Sequence, residues 1–164
     1  MRKKNRAIPD HELADLLRQG QTLHLAMNHG GQPYVVPLTY GYEAAADSRG
    51  LGRLWVHCAV EGRKVEALEA DPRVAFSIVL SQEIVREPKP CGWTCRYVSL
   101  YGEGRAELVT GAQAKASGLA AFMAHYGAPC DAAEFPESVL AQTLVIRIDI
   151  ESLTGKRNPS AQGQ

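Results

Sequence analysis

The stretch Arg53-Leu54-Trp55-Val56-His57-Cys58-Ala59-Val60-Glu61-Gly62-Arg63-Lys64 decides how this chain is read. From Arg53 to Val60 it alternates, with Leu54, Val56, Cys58 and Val60 on one face and Trp55, His57 and Ala59 on the other. That is the period of a β-strand. Gly62 permits a turn, and Arg63–Ala70 follows with helical spacing, Val65 and Leu68 pointing inward. Asp71-Pro72 ends the helix. Backbone N–H groups at a helix N-terminus lack internal partners and carry partial positive charge. Arg63 and Lys64 beside them oppose the helix dipole, at a cost of about 0.3–1 kcal/mol each. A bound anion offsets that cost, so the turn implies a phosphate-bearing ligand.

Upstream, Asp10 is expected to cap a short helix with Leu13, Leu16 and Leu17 on one face, and Gly20 to stop it. Leu23, Leu25 and Met27 alternate with Thr22, His24 and Asn28 as a strand. The turn His29-Gly30-Gly31 joins it to the β-rich segment Tyr34–Tyr40, which completes a hairpin. Pro37 cannot donate to a ladder and marks an edge or a bulge. Residues 43–52 read as a surface loop.

Downstream, Val74–Leu80 reads as a buried strand and residues 81–92 as irregular. Trp93–Thr110 reads as a long strand pair, bent where Gly102 and Gly104 fall. Ala112–Tyr126 is helical, with Leu119, Phe122 and Met123 grouped. Leu144, Ile146, Ile148 and Ile150 alternate with Val145, Arg147 and Asp149 in a last strand, and residues 154–164 read as polar. The count is about six strands and three helices, most joined by connections too short for parallel crossovers. The single strand–helix–strand unit lies at residues 53–80. A mostly β domain is expected: a six-stranded antiparallel barrel with flanking helices.

A chain of 164 residues suits one domain with a core of its own. Lys+Arg and Asp+Glu balance at 18 each, which gives no general attraction to nucleic acid or anionic membrane. Arg2, Lys3, Lys4 and Arg6 are not followed by an apolar run, so they do not read as a signal peptide. No stretch nears roughly 18 continuous apolar residues. A cytoplasmic location is the expectation. Cys58, Cys91, Cys95 and Cys130 lack zinc-site spacing, Cys91 and Cys95 being CxxxC, so reduced thiols and no metal are expected. The sequence holds no GxxxxGK[ST], GxSxG or HExxH, and Gly102-Glu103-Gly104 lacks the third glycine of a dinucleotide fingerprint.

Four segments in this order resemble the pyridoxamine 5'-phosphate oxidase-like FMN-binding split barrels, nearest to their nitroimidazole-resistance group. They are Val35-Val36-Pro37-Leu38-Thr39-Tyr40, Leu54–Ala59 with Glu61-Gly62-Arg63-Lys64, Tyr97–Ala106, and Leu153-Thr154-Gly155-Lys156. Asp71-Pro72-Arg73-Val74 also fits. The resemblance spans about residues 2–157, which sets the domain as 1–157 with 158–164 as a polar tail.

The resemblance implies a homodimer with FMN at the interface. Gly62, Arg63 and Lys64 match the phosphate-binding cluster, and Val36, Pro37, Leu38 and Thr39 the strand lining the isoalloxazine. His57 and Cys58 match positions beside the flavin, and His57 is the candidate catalytic residue. Ser99 matches a polar position contributed by the partner chain, and Lys156 a contact at the rim. Gly62 stands where the pyridoxamine phosphate oxidases have the serine of a Ser-Arg-Lys cluster. Their C-terminal arginine and tryptophan have no equivalent here, so oxidation of vitamin B6 is not implied. The expected activity is electron transfer from a reduced nicotinamide, NAD(P)H, through FMN to a small acceptor, a nitro compound at family level. The alternative is a non-catalytic protein holding haem, a deazaflavin or flavin, with His24, His29 or His57 as iron ligand. Cys58 reads as packing. His11, His24, His29 and His125 read as structural or surface residues. Trp55, Trp93 and Tyr97 could stack on a planar ring but read first as core.

Overall fold

The structure, a computed structural model, describes residues 4–47 and 50–158. Eight strands form one antiparallel sheet: β1 (Ala7–Ile8), β2 (Thr22–His29), β3 (Gln32–Thr39), β4 (Gly41–Glu43), β5 (Arg53–Ala59), β6 (Arg73–Val85), β7 (Thr94–Val109) and β8 (Thr143–Asn158). The strand order is β3-β2-β6-β7-β8-β5-β4, with β1 added to β8. Four helices flank it: α1 (Asp10–Gln19), α2 (Arg63–Ala70), α3 (Ala112–His125) and α4 (Glu137–Gln142). The two ends of the path, β3 and β4, are consecutive in the chain and separated by Tyr40 alone. The sheet therefore curls until its ends meet at one corner, which is a split barrel. Tyr40 is fully buried there and donates its hydroxyl to the Leu17 carbonyl at 2.8 Å.

The alternating apolar residues face the barrel interior. Leu23, Leu25, Phe76, Ile78, Leu100, Leu54, Val56, Ile146 and Ile148 are buried in one cluster, joined by Leu13 and Leu17 of α1 and Val65 and Leu68 of α2. A second cluster lies outside the barrel. Trp55, Val109 and Val145 are covered there by Ala116 and Leu119 of α3 and Leu140 of α4. Both faces of β5 are thus buried at Leu54, Trp55 and Val56. Gly118 makes this possible: a Cβ there would lie 2.7 Å from the Trp55 ring.

Several boundaries differ from the sequence reading. The described residues form eight strands rather than six, and four α-helices rather than three. The N-cap of α1 is Pro9, and Asp10 is its first helical residue. β6 does not stop at Leu80. It passes a register shift between Val79 and Ser81 and continues through polar Ser81-Gln82-Glu83, paired with the start of β7. That hairpin arm leaves the barrel, so no apolar periodicity marks it. β7 is one continuous strand rather than a pair. Its glycines serve close approach: a Cβ on Gly102 would lie 2.2 Å from the Phe76 ring, and one on Gly104 would lie 2.3 Å from the Asp149 carbonyl. A ladder irregularity falls between Glu103 and Gly104, where a bend was expected. β8 reaches Asn158 because Thr154–Asn158 pair with Tyr97–Tyr101, although their side chains are polar. Residues 1–3 of the basic N-terminus and 159–164 of the polar tail lie outside the described residues. Among the described residues no helix is long and apolar enough to cross a membrane, and no cluster of His, Cys, Asp and Glu could hold a metal ion.

Candidate functional site

β5 ends at Ala59 and the chain turns through Gly62 into α2, as the sequence predicts. Gly62 has φ +124°, a conformation side chains rarely adopt, and caps α2 without a side-chain hydrogen bond. Its carbonyl accepts from the N–H groups of Val65 and Glu66. Nothing lies within 4 Å of where a Cβ on Gly62 would be, so the approach to the helix N-terminus is open.

Arg63 does not trail into solvent. Its Nε donates to Nδ1 of His29 at 3.3 Å, and its guanidinium carbon lies 4.4 Å from the centroid of the Tyr34 ring. His29 in turn places Nε2 3.3 Å from the Glu66 carboxylate. The Nε2–H tautomer satisfies both contacts. The β2–β3 hairpin thereby holds the Arg63 side chain against the start of α2. Among the described residues neither Arg63 nor Lys64 has a carboxylate partner, since Glu66 is taken by His29. Two uncompensated cations at an open helix N-terminus form a site for an anion.

His57 packs edge-on against Phe122 of α3, ring centroids 4.9 Å apart. Burial lowers its pKa below the usual imidazole value, and the charge of Lys64 lowers it further. The imidazole is therefore neutral at pH 7 and can donate a hydrogen bond from one nitrogen. Cys58 points the other way and packs on the barrel core.

Val36, Pro37, Leu38 and Thr39 lie on β3, an edge strand, as Pro37 suggests. Val36 and Leu38 pack on the core, while Pro37 and Thr39 are exposed. Alternate backbone groups along that edge have no strand partner among the described residues.

Ser99 and Lys156 are directly paired across β7 and β8, on the outer face of the sheet. Among the described residues no hydrogen bond, ion pair or ring contact links either to Arg63 or Lys64. No direct contact therefore joins Ser99 and Lys156 to the cations of α2 among the described residues. Trp55 is core beneath α3, as the packing reading expects. Trp93 sits half-exposed on the hairpin arm, stacked under Arg86 and donating Nε1 to the Glu87 carbonyl at 2.8 Å. The contacts of His29 and Tyr34 with Arg63 were not visible in the sequence. No local pattern links residues 29 and 34 to residue 63. They meet only because the hairpin folds back over α2.

A protein family described as pyridoxamine 5'-phosphate oxidase matches residues 9–157. No curated protein matches the chain. Solved structures share the fold. A candidate 5-nitroimidazole antibiotic resistance protein from Bacteroides thetaiotaomicron is 23% identical, with a TM-score of 0.76, over 92% of this chain and 85% of its own. The FAD and heme binding protein from Mycobacterium smegmatis is 22% identical, with a TM-score of 0.76, over 95% and 74%. The flavocytochrome Anf3 from Azotobacter vinelandii is 21% identical, with a TM-score of 0.74, over 96% and 72%.

Proposed function

This chain belongs to the pyridoxamine 5'-phosphate oxidase family, and from that premise we propose that it is a homodimeric FMN-binding oxidoreductase. One observation carries the cofactor reading: Arg63 and Lys64 stand at the open N-terminus of α2 with no carboxylate partner among the described residues. A flavin phosphate fits that position, received by the backbone N–H groups and both cations. Flavins are named for two of the neighbours, one as FAD and one in the word flavocytochrome.

When bound, the flavin supplies hydride acceptance and onward electron transfer, here from a reduced nicotinamide to a small acceptor such as a nitro compound. The chain's own residues bind and orient. Arg63, locked by Tyr34 and His29, fixes the phosphate. The free edge of β3 at Val36–Thr39 offers backbone groups to the ring system. His57 donates a hydrogen bond as a neutral imidazole. Cys58 packs the strand that carries it.

The dimer reading rests on the outer face of β3, β2, β6, β7 and β8. On β7 and β8 the helices of the second core cluster reach this face only at one end, at Val109 and Val145. Val35, Val79 and Tyr101 are 54%, 49% and 47% exposed there. A second copy covering this face brings Ser99 to its partner's cofactor and Lys156 to the rim. The combined change Arg63→Ala and Lys64→Ala tests the assignment: FMN is lost from the purified protein, and full retention of FMN contradicts it.

A second reading has one observation in its favour. His24 is exposed on the same sheet face and makes no hydrogen bond or ion pair among the described residues. Two neighbours carry haem in their descriptions, as heme or as a cytochrome. Haem ligated by His24 would give a Soret band that His24→Ala removes.

A further inference from the structure

His125, the last residue of α3, is held by two backbone groups from other elements. Its Nδ1 accepts from the N–H of Tyr42 on β4 at 3.3 Å. Its Nε2 lies 2.7 Å from the carbonyl oxygen of Gly20, the residue that closes α1. An amide N–H can only donate and a carbonyl oxygen can only accept. The neutral Nε2–H tautomer therefore makes both bonds together, and a ring protonated at Nδ1 loses the bond to Tyr42.

The same helix end carries this to His57. Gly41, the residue before Tyr42, lies close against α3: a Cβ on it would stand 2.5 Å from Cα of Phe122. Phe122 and His125 share a face of α3, so Gly41 and Tyr42 seat the two of them side by side on β4. The Phe122 ring in turn packs edge-on against His57, centroids 4.9 Å apart. A second tie holds this end of the helix, the Tyr126 hydroxyl donating to the Gln21 carbonyl at 3.0 Å.

Among the described residues, the titratable groups around the imidazole come from three elements. The Tyr40 and Tyr126 rings lie 5.1 and 5.0 Å from it, centroid to centroid. Burial pushes both of these phenols upward, and that of Tyr42 as well. From α1, Arg18 stacks on the Tyr42 ring at 5.6 Å and pairs with Asp15 at 2.7 Å. The stretch Gly20-Gln21 presents carbonyl oxygens to the cluster. Against phenols and a guanidinium, an imidazole is the side chain that changes charge near neutrality.

We propose that His125 is a positioning residue for His57: unprotonated, it seats the end of α3 on β4 so that Phe122 covers His57, and on protonation it releases Phe122 from that ring. This deepens the flavin reading given above, in which His57 donates a hydrogen bond to the cofactor, and its effect on the flavin rests on that reading. The coupling between His125 and His57 does not need the flavin.

The experiment is an acid titration of the full-length protein, first without flavin and then with FMN. NMR follows ¹³Cε1-labelled histidines and the Tyr42 amide, and His57→Gln assigns the His57 resonance. Two transitions are expected at His57: its own, and a second that coincides with the titration of His125 and with a shift of the Tyr42 amide. His125→Asn places an amide oxygen near the position of Nδ1 and does not titrate, so one transition remains. Phe122→Leu also leaves one. A single His57 transition in the parent protein overturns the proposal, whether or not the variants fold. So does a second transition that survives His125→Asn. One that survives Phe122→Leu is charge acting between the two imidazoles and overturns it too. With FMN, protonation of His125 is expected to weaken binding by about two- to tenfold, the worth of one hydrogen bond, and His125→Asn abolishes that step. An FMN affinity that crosses the His125 transition unchanged overturns the link to the site. A protein that takes up no FMN at any pH contradicts the flavin reading, while the two transitions at His57 still uphold the coupling.

Discussion

The guanidinium carbon of Arg63 lies 4.4 Å from the centroid of the Tyr34 ring, a contact between the first residue of α2 and the second strand of the opening hairpin. An exposed cation–π contact of this kind is worth about 0.5–1 kcal/mol. Its role here is to hold a long side chain where a phosphate arrives, and so to reduce the ordering cost of binding. Tyr34→Ala is expected to weaken FMN binding by roughly two- to fivefold. Tyr34→Phe, which keeps the ring face, leaves affinity close to the parent. Flavin fluorescence titration of the apoprotein measures both.

His57 and Lys64 are coupled through charge. Burial is the larger cause of the lowered His57 pKa, and Lys64 the smaller. Lys64→Ala therefore raises the pKa part of the way, and Phe122→Ala, by opening the packing around the ring, raises it further. Phosphate bound at α2 also raises it, since it offsets Lys64. The folded protein takes up this proton less readily than the unfolded chain. Stability is consequently unaffected above the usual imidazole range near pH 6.5 and falls as pH drops below it. An NMR titration of His57 in each variant, with and without FMN, checks the order.

The bare outer sheet face predicts self-association. Val79→Glu places a charge in the middle of it, at a residue 49% exposed in the single chain. The expected result is a shift from dimer to monomer in sedimentation, with loss of flavin and preserved circular dichroism. An unchanged dimer with Glu at position 79 removes this face as the interface.

The barrel interior depends on the Phe76 ring lying over Gly102. Gly102→Ala forces an overlap with that ring and is expected to cost about 1–3 kcal/mol. Phe76→Ala leaves a cavity and costs about 3–5 kcal/mol. The two changes share one space, so the double variant is less destabilised than their sum. Urea denaturation of the three variants tests this non-additivity.

Much of this fold is written in the alternation of its apolar residues. Leu23, Leu25 and Met27, and later Ile146 and Ile148, fall inside the barrel where the period places them. The turn at Gly62 and the start of α2 at Arg63 are likewise where the residue types put them. The sequence marks the β7 half of the hairpin arm as strand but not the β6 half, because Ser81–Val85 buries no continuous face and is held by its backbone pairing with Thr94–Val98. The end of β8 was missed for the same reason. Tyr34 and His29 acquire their roles only through the fold of the hairpin over α2. Such contacts, between residues distant in sequence, leave no local signal.

The central claim is that the N-terminus of α2 holds the phosphate of a flavin. The most direct measurement is the visible absorbance spectrum of the protein purified without added cofactor, followed by heating and identification of what is released. The account predicts a flavin spectrum and FMN in the supernatant. A protein that is colourless and takes up no added FMN, or one that shows a Soret band without flavin, contradicts it.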